Sequence, residues 1–165
     1  MTQDQSTIQL FSYPTSPYAQ KVGCYLKYKQ LDFKFVPVNP LNNAELHFTR
    51  QRQVPVLQIH NQWRKESSEL GIWLDELYPE RPIVPADEAS RNRIFSIDNW
   101  ISESLIPTVF RRAVEWTNPI HSILNGWKLA RAVSSATPLP WYVRLLWPWG
   151  VKKAPFIVHM IRGMD

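Results

Sequence analysis

Apolar and polar positions along Ile8-Gln9-Leu10-Phe11-Ser12-Tyr13 read as a short strand, ended by Pro14. From Pro17 to about Gln30 the spacing becomes helical, with Ala19, Val22, Gly23 and Leu26 on one face. Ser16 stands at the N-cap of that helix and Pro17 at its first position, both favoured there. Phe33-Lys34-Phe35-Val36-Pro37-Val38 predicts a second strand, and because Pro37 cannot donate to a ladder this strand belongs at a sheet edge. Asn42 to about Arg50 is suited to a short helix. Pro55-Val56-Leu57-Gln58-Ile59 predicts a third strand, turned at His60-Asn61-Gln62 into a fourth at Trp63-Arg64-Lys65. Ser67 is expected to cap a helix with Leu70, Trp73, Leu74 and Leu77 on one stripe, stopping before Pro79.

The predicted order is strand, helix, strand, helix, strand, strand, helix, a βαβαββα unit over residues 6–78. Residues 79–86 hold three prolines and read as a linker between domains. From residue 87 to 165 the pattern is helical. Ile94, Ile97, Ile101, Leu105 and Val109 keep helical spacing, although Pro107 should kink or end that helix. A further helix is expected over about His121 to Ser134. Beyond it, Pro138, Pro140, Pro148 and Pro155 argue against continuous helix, and no internal repeat is present.

Composition narrows the class. With 44% hydrophobic and 20% charged residues in 165, a packed core is expected and disorder is not. The single cysteine, Cys24, excludes an internal disulfide and a CxxC redox pair; a reducing, cytosolic setting fits. Two turns into its helix, Cys24 is expected to be a buried small apolar residue. The polar stretch Met1–Ser6 has no apolar h-region, so no signal peptide is expected. Arg144, Lys152 and Lys153 interrupt the best candidate for a membrane span. His47, His60, His121 and His159 lack metal-ligand spacing, so no metal site is expected. No phosphate loop, nucleophile elbow or nucleic-acid motif occurs, and no nucleic-acid partner is expected.

The net charge of +5 is uneven. Residues 1–86 carry 9 Lys+Arg against 8 Asp+Glu, whereas residues 87–165 carry 10 against 6 and hold six of the eight tryptophans. The segment from Trp141 to Lys153 mixes aromatics with cations. That composition suits a membrane interface, hence a peripheral membrane contact; it suits a helical core or subunit contact equally, and burial is the expectation carried forward.

Two segments about 40 residues apart carry candidate chemistry. Ser16-Pro17-Tyr18-Ala19-Gln20-Lys21-Val22 puts a hydroxyl at a helix N-terminus, where free N–H groups and the macrodipole favour an anion. Val54-Pro55-Val56-Leu57 supplies an extended edge, followed at Glu66-Ser67 by a carboxylate and a second helix start. Together they suit a small anionic thiol compound. Each also has a plain structural reading: Ser16 as an N-cap only, Tyr13 as a core aromatic, Val54 as a strand start, Glu66 as a surface acid.

Ser16-Pro17-Tyr18-Ala19, Val54-Pro55 and Glu66-Ser67-Ser68-Glu69, in that order, resemble the glutathione S-transferase superfamily. Tyr13-Pro14-Thr15-Ser16-Pro17, Val38-Asn39-Pro40-Leu41-Asn42-Asn43-Ala44-Glu45, Val54-Pro55-Val56-Leu57, Trp100 and the Pro107-to-Arg111 segment are similar to its membrane-associated prostaglandin E synthase type 2-like branch. The resemblance covers roughly residues 8–115. It implies a thioredoxin-like α/β domain, the linker, and an all-α domain shortened to residues 87–165 and apparently incomplete, since only 79 residues follow residue 86.

It also implies a function: binding of glutathione as co-substrate and activation of its thiol for attack on a small electrophile, by a cytoplasmic homodimer. Ser16 would activate the sulfur, with Tyr13 as the rival hydroxyl. Val54 would pair its main chain with the cysteinyl part, next to a cis Pro55. Glu66 and Ser67 would take the γ-glutamyl end, and Gln53, with Arg52, the glycyl carboxylate. In that branch and in glutaredoxins the first segment is a CPxC pair; here Ser16 and Ala19 replace both cysteines, which excludes disulfide exchange and weakens an isomerase reading of the prostaglandin-synthase kind. A non-catalytic binding module of the same fold is the other alternative, favoured by the missing late helices.

Overall fold

Strands Ile8–Ser12 (β1), Phe33–Pro37 (β2), Val56–Ile59 (β3) and Gln62–Lys65 (β4) form one mixed sheet in a computed structural model that describes residues 8–39, 42–109, 119–135 and 139–150. The sheet order is β2-β1-β3-β4, so the Pro37 strand is an edge, as its missing N–H requires. β1 pairs parallel with β2 and antiparallel with β3, and β3 pairs antiparallel with β4. The chain divides into two compact units, Met1–Arg91 and Asn92–Asp165.

Helices Pro17–Tyr28 (α1) and Ser67–Leu77 (α2) cover one face of the sheet. Their buried stripes, Val22 and Leu26 on α1 and Leu70, Trp73 and Leu74 on α2, meet Ile8, Leu10, Leu57 and Ile59 in a single cluster. Gly71 gives the two helices a close approach there: a Cβ would stand 3.2 Å from the Tyr25 ring of α1, which would have to give way. On the other face Phe11, Val38 and Val56 close over Leu46, which comes from a 3-10 helix, Ala44–Thr49. The βαβαββα order is therefore observed, with the second helix wound as 3-10 between two left-handed residues, Asn43 and Arg50.

Some details differ from expectation. Cys24 is exposed, because the buried face of α1 is set by Ala19, Val22 and Leu26 and Cys24 falls off that stripe. Gly23 also falls off it, with open space where a Cβ would stand. Leu77 is 44% exposed, in the last residue of α2, where the helix has run past the sheet. Ser67 is the first helical residue, and the position before it belongs to Glu66, at φ 68° and without a side-chain cap bond.

The proline-rich segment after α2, which lies inside the first unit, is held by an ion pair. Lys29, whose side chain is fully buried, lies 2.6 Å from an Asp75 carboxylate oxygen, and its Nζ donates to the carbonyls of Tyr78 (2.6 Å) and Arg81 (3.1 Å). Asp75 in turn accepts from Ile83 N (2.9 and 3.0 Å) and Val84 N (2.8 Å). Residues 78–84 are thus strapped onto α1 and α2. Burial alone would raise the Asp75 carboxyl. The hydrogen bonds from Lys29, Ile83 and Val84, together with the Lys29 charge, outweigh it and hold the group below its ordinary 3.8.

In the second unit Glu88–Trp100 (α3) begins just before the boundary and continues as a π-helical turn, Ile101–Leu105. Residues 106–109 return to α-helix, so Pro107 does not end the helix at once. The wide turn, closed by Ile106 N to Ile101 O, lies directly before the proline, where an ordinary ladder would have needed its missing N–H. The helically spaced Ile94, Ile97, Leu105 and Val109 are all exposed. Pro119–Ser134 (α4) forms over the expected segment, and Trp141–Gly150 (α5) forms despite Pro148, which sits in its last turn. Gly126 admits α5: a Cβ there would lie 2.8 Å from Pro148 Cα. Trp127 Nε1 donates to Leu145 O at 3.2 Å. Of the Trp141–Lys153 segment, residues 151–153 lie outside the described residues. In the remainder, Val143 and Trp147 are half-buried and Pro148 buried, but Trp141, Tyr142, Leu145, Leu146 and Trp149 are each more than half exposed, against the expectation of a helical core. Among the described residues no helix is long and apolar enough to cross a membrane.

Candidate functional site

The strand registers collect the sequence-derived candidates at one end of the sheet. β1 ends with Phe11 opposite Val56, and continuing that antiparallel register sets Ser12 against Pro55 and Tyr13 against Val54. β3 and β4 pair Val56 with Lys65, so Val54–Pro55 and Glu66–Ser67 leave the ladder at the same end. α1 leaves from the same end, four residues after β1. One turn in, α1 reaches α2: Lys21 Nζ donates to Ser68 Oγ at 3.1 Å. Tyr13 and Val54 pack against the same cluster, Phe11, Val38, Leu46 and Val56.

Ser16 caps α1. Its backbone is extended (φ −73°, ψ 119°), its Oγ accepts from Ala19 N at 3.4 Å, and its carbonyl accepts from Gln20 N at 3.1 Å. The hydroxyl oxygen is thereby engaged as an acceptor while its proton remains available for an anion. Tyr13 differs. Its hydroxyl donates to Asn43 Oδ1 at 2.8 Å, and Asn43 is held in turn by its own N–H to Asn39 O at 2.8 Å. Burial raises the Tyr13 phenol above its ordinary 10.0, with the Arg52 charge lowering it and Glu45 raising it again. The net direction keeps it a neutral phenol whose proton is given to Asn43.

Val54 precedes the first paired residue of β3, so its main chain lies outside the ladder, and the Val54–Pro55 peptide is cis, as expected. Glu66 is exposed, with its carbonyl accepting from Leu70 N at 3.0 Å. Ser67, 7% exposed, sits at the N-terminus of α2. Gln53 is engaged within the protein: its Oε1 accepts from Lys65 Nζ at 2.7 Å, and its main chain exchanges hydrogen bonds with the Gln51 side chain. This end of the sheet therefore gathers two helix N-termini, the Val54 main chain beyond the ladder, and one acid. Among the described residues no group of three or more His, Cys, Asp or Glu is placed to hold a metal ion. A cavity of about 300 Å³ at the β3–β4 hairpin, lined by Ile59, His60, Asn61, Gln62, Trp73 and Leu77, lies at the other end of these strands.

Sequence reasoning did not single out Asn43 or Lys21. The signal for Asn43 was the Asn42-Asn43 pair, since asparagine tolerates the left-handed conformation (φ 51°) that precedes the 3-10 helix. Lys21 carried no signal beyond its place one turn into α1.

Residues 10–82 match the family model described as the glutathione S-transferase N-terminal domain. A zeta-class glutathione S-transferase of Euphorbia esula is 31% identical over 105 residues, 61% of this chain and 47% of that protein. Prostaglandin E synthase 2 of Danio rerio is 34% identical over 53 residues, 32% of this chain and 14% of that protein. The chain thus spans less than half the length of either curated relative. Among solved structures, glutathione transferase Omega 3C from Trametes versicolor shares the fold at TM-score 0.59 and 20% identity, covering 100% of this chain and 79% of that one. A glutathione transferase homologue from Burkholderia gl BGR1, solved with bound glutathione, does so at TM-score 0.52 and 21% identity, covering 96% and 98%.

Proposed function

Since the chain belongs to the glutathione S-transferase superfamily, with its N-terminal domain over residues 10–82, we propose that it binds glutathione at the sheet end described above and activates its thiol for attack on a small electrophile. The observation that supports this most is the convergence of the α1 start, the Val54 edge and the Glu66–Ser67 corner at the ends of β1, β3 and β4. A tripeptide laid along Val54 exchanges main-chain hydrogen bonds with groups that lie beyond the end of the β1–β3 and β3–β4 ladders. Glu66 meets its ammonium group, and the N-terminus of α2 with Ser67 meets the adjacent carboxylate. Arg52 is the cation for the far carboxylate, with Gln53 redirected from Lys65.

The sulfur then lies at the N-terminus of α1. An ordinary thiol ionises near about 8.5, and a helix N-terminus lowers that by one unit or more. The Ser16 hydroxyl donates a hydrogen bond to the thiolate while its oxygen accepts from Ala19 N–H, so capping and activation use different parts of one group. The thiol proton passes to solvent and the sulfur lone pair forms the new bond to the electrophilic carbon; in substitution the displaced pair leaves with the halide, and in addition to an enone it becomes an enolate that takes a proton from solvent. Homodimerisation belongs to the same reading, and sedimentation equilibrium measures it directly.

Thermal denaturation with millimolar glutathione and conjugation of an aryl halide and an enone test the proposal together. A raised melting temperature with turnover supports it. Absence of any shift sinks the binding claim, and a shift without turnover reduces the protein to a binding module. Ser16→Ala is expected to retain the glutathione-induced shift and to lose turnover at neutral pH about tenfold, the effect of one unit in thiol ionisation. An unchanged rate removes Ser16 from the reaction.

A further inference from the structure

At about 100° per residue, Trp141, Leu145, Trp149, Tyr142 and Leu146 fall within one arc of about 140° on α5. That arc is the outward one: Trp141 is 74% exposed and the other four lie between 51% and 58%. Trp147, half-buried, lies on the opposite side, and Pro148, buried against Gly126 of α4, borders the arc next to Trp141. A helix in a core buries its apolar arc, and a helix facing water makes its outward arc polar; α5 does neither. Charge supplies the second observation. Across α4 and α5 the charged residues are Lys128, Arg131 and Arg144, without one Asp or Glu. A groove of about 440 Å³ between the two helices sets Arg131 and Arg144 beside Trp127 and Trp141.

We propose that the α4–α5 hairpin docks on the surface of an anionic phospholipid bilayer. The α5 arc enters the headgroup boundary, and Arg131 and Arg144 meet lipid phosphates. Indole and phenol rings with one apolar and one polar side settle at headgroup depth, which the outward Trp141, Trp149 and Tyr142 provide. Guanidinium groups pair with phosphate oxygens bidentately. With ten residues, α5 is too short to span a bilayer, so it lies in the interface. The charge pattern argues against a second copy on this patch. A two-fold contact would bring Arg131 and Arg144 against their own equivalents, with no carboxylate on either helix to pair them.

Co-sedimentation with vesicles of phosphatidylcholine, with and without a third of phosphatidylglycerol, tests this. The expected result is binding to the anionic vesicles, weak binding to the neutral ones, and loss of the difference in high salt. Leu145→Glu, which sets a carboxylate in the middle of the arc, is expected to abolish binding. The double variant Arg131→Gln/Arg144→Gln is expected to lower it about tenfold or more while sparing the apolar contact. All three side chains lie at the surface, so unchanged thermal melts establish that the variants are folded. The proposal is overturned if the unsubstituted chain leaves anionic vesicles unbound, or if Leu145→Glu sediments with them as before. Self-association that Leu145→Glu dissolves, without vesicle binding, overturns it in favour of a second copy.

Discussion

In the first unit the apolar stripes of α1, α2 and the sheet face one another, whereas in the second the apolar arc of α5 faces outward. Both regions are rich in large hydrophobic residues. The difference is in layering: a sheet offers its helices two broad surfaces, and Val22, Leu26, Leu70 and Leu74 all reach complete burial against it. The α4–α5 pair offers one narrow seam, buried at Ala130 and Val133 and closed by Gly126 against Pro148. A helix pair can bury one side of each member. Where the other side is also apolar, as on α5, the surplus must serve something outside the pair.

The largest expected effect breaks the better-packed side of this comparison. In Asp75→Asn the fully buried Lys29 ammonium loses its counter-charge, and the 78–84 strap loses its anchor. Stranding one ion of a buried pair costs about 3–5 kcal/mol; Asp75 retains some solvent access, so about 3 kcal/mol is expected, read as a lower melting temperature of the first unit. The pH dependence has a defined sign. Because the folded carboxyl is held below its ordinary 3.8, its contribution is present above that value and drains away as the pH falls through the lowered one. The unsubstituted chain should therefore lose stability steeply in acid below about pH 4, and Asp75→Asn should flatten that limb. An acid limb of unchanged steepness in the variant contradicts the strap.

A smaller effect addresses the other side. Gly126→Ala sets a methyl 2.8 Å from the backbone of Pro148, and neither helix axis can shift without opening the seam. Overpacking of this kind costs about 1–3 kcal/mol. The second unit should melt earlier by calorimetry while the glutathione-induced shift of the first stays as it was. If both transitions move together, the units unfold as one and their contrast in packing has no independent energetic meaning.

Much of the first unit was legible in the sequence. Pro37 marked an edge strand because a missing donor forbids a central one, and Ser16-Pro17 marked a helix start because both residues suit the unsatisfied first turn. The Lys29–Asp75 strap was not legible. Asp75 lies off the apolar stripe of α2, and although Lys29, the residue after α1, continues the phase of Val22 and Leu26, its residue type favours water over burial. Cys24 misled for a related reason: its residue type favours burial, but helical phase decides, and the phase belongs to Val22 and Leu26. The outward face of α5 was undecidable from composition, since a core and an interface draw on the same residues. At the site, residue types and order were readable, but the commitment of the Tyr13 proton to Asn43 depends on a contact across 30 residues.

That commitment gives the smallest and most discriminating prediction. Tyr13→Phe removes the hydroxyl and leaves Asn43, only 9% exposed, without the donor to its side-chain oxygen. A lost hydrogen bond of this kind costs about 1 kcal/mol, visible as a slight fall in melting temperature. Turnover is a separate matter. If the phenol proton stays on Asn43 throughout the reaction, the thiolate never receives it, and Tyr13→Phe should conjugate at close to the original rate. Asn43→Ala should then mimic it, with the same small loss of stability and the same retained rate. A Tyr13→Phe protein that is stable but inactive, beside a Ser16→Ala protein that still turns over, would exchange the two hydroxyls. Activation would then belong to the strand end, and Ser16 would be left with capping α1 alone.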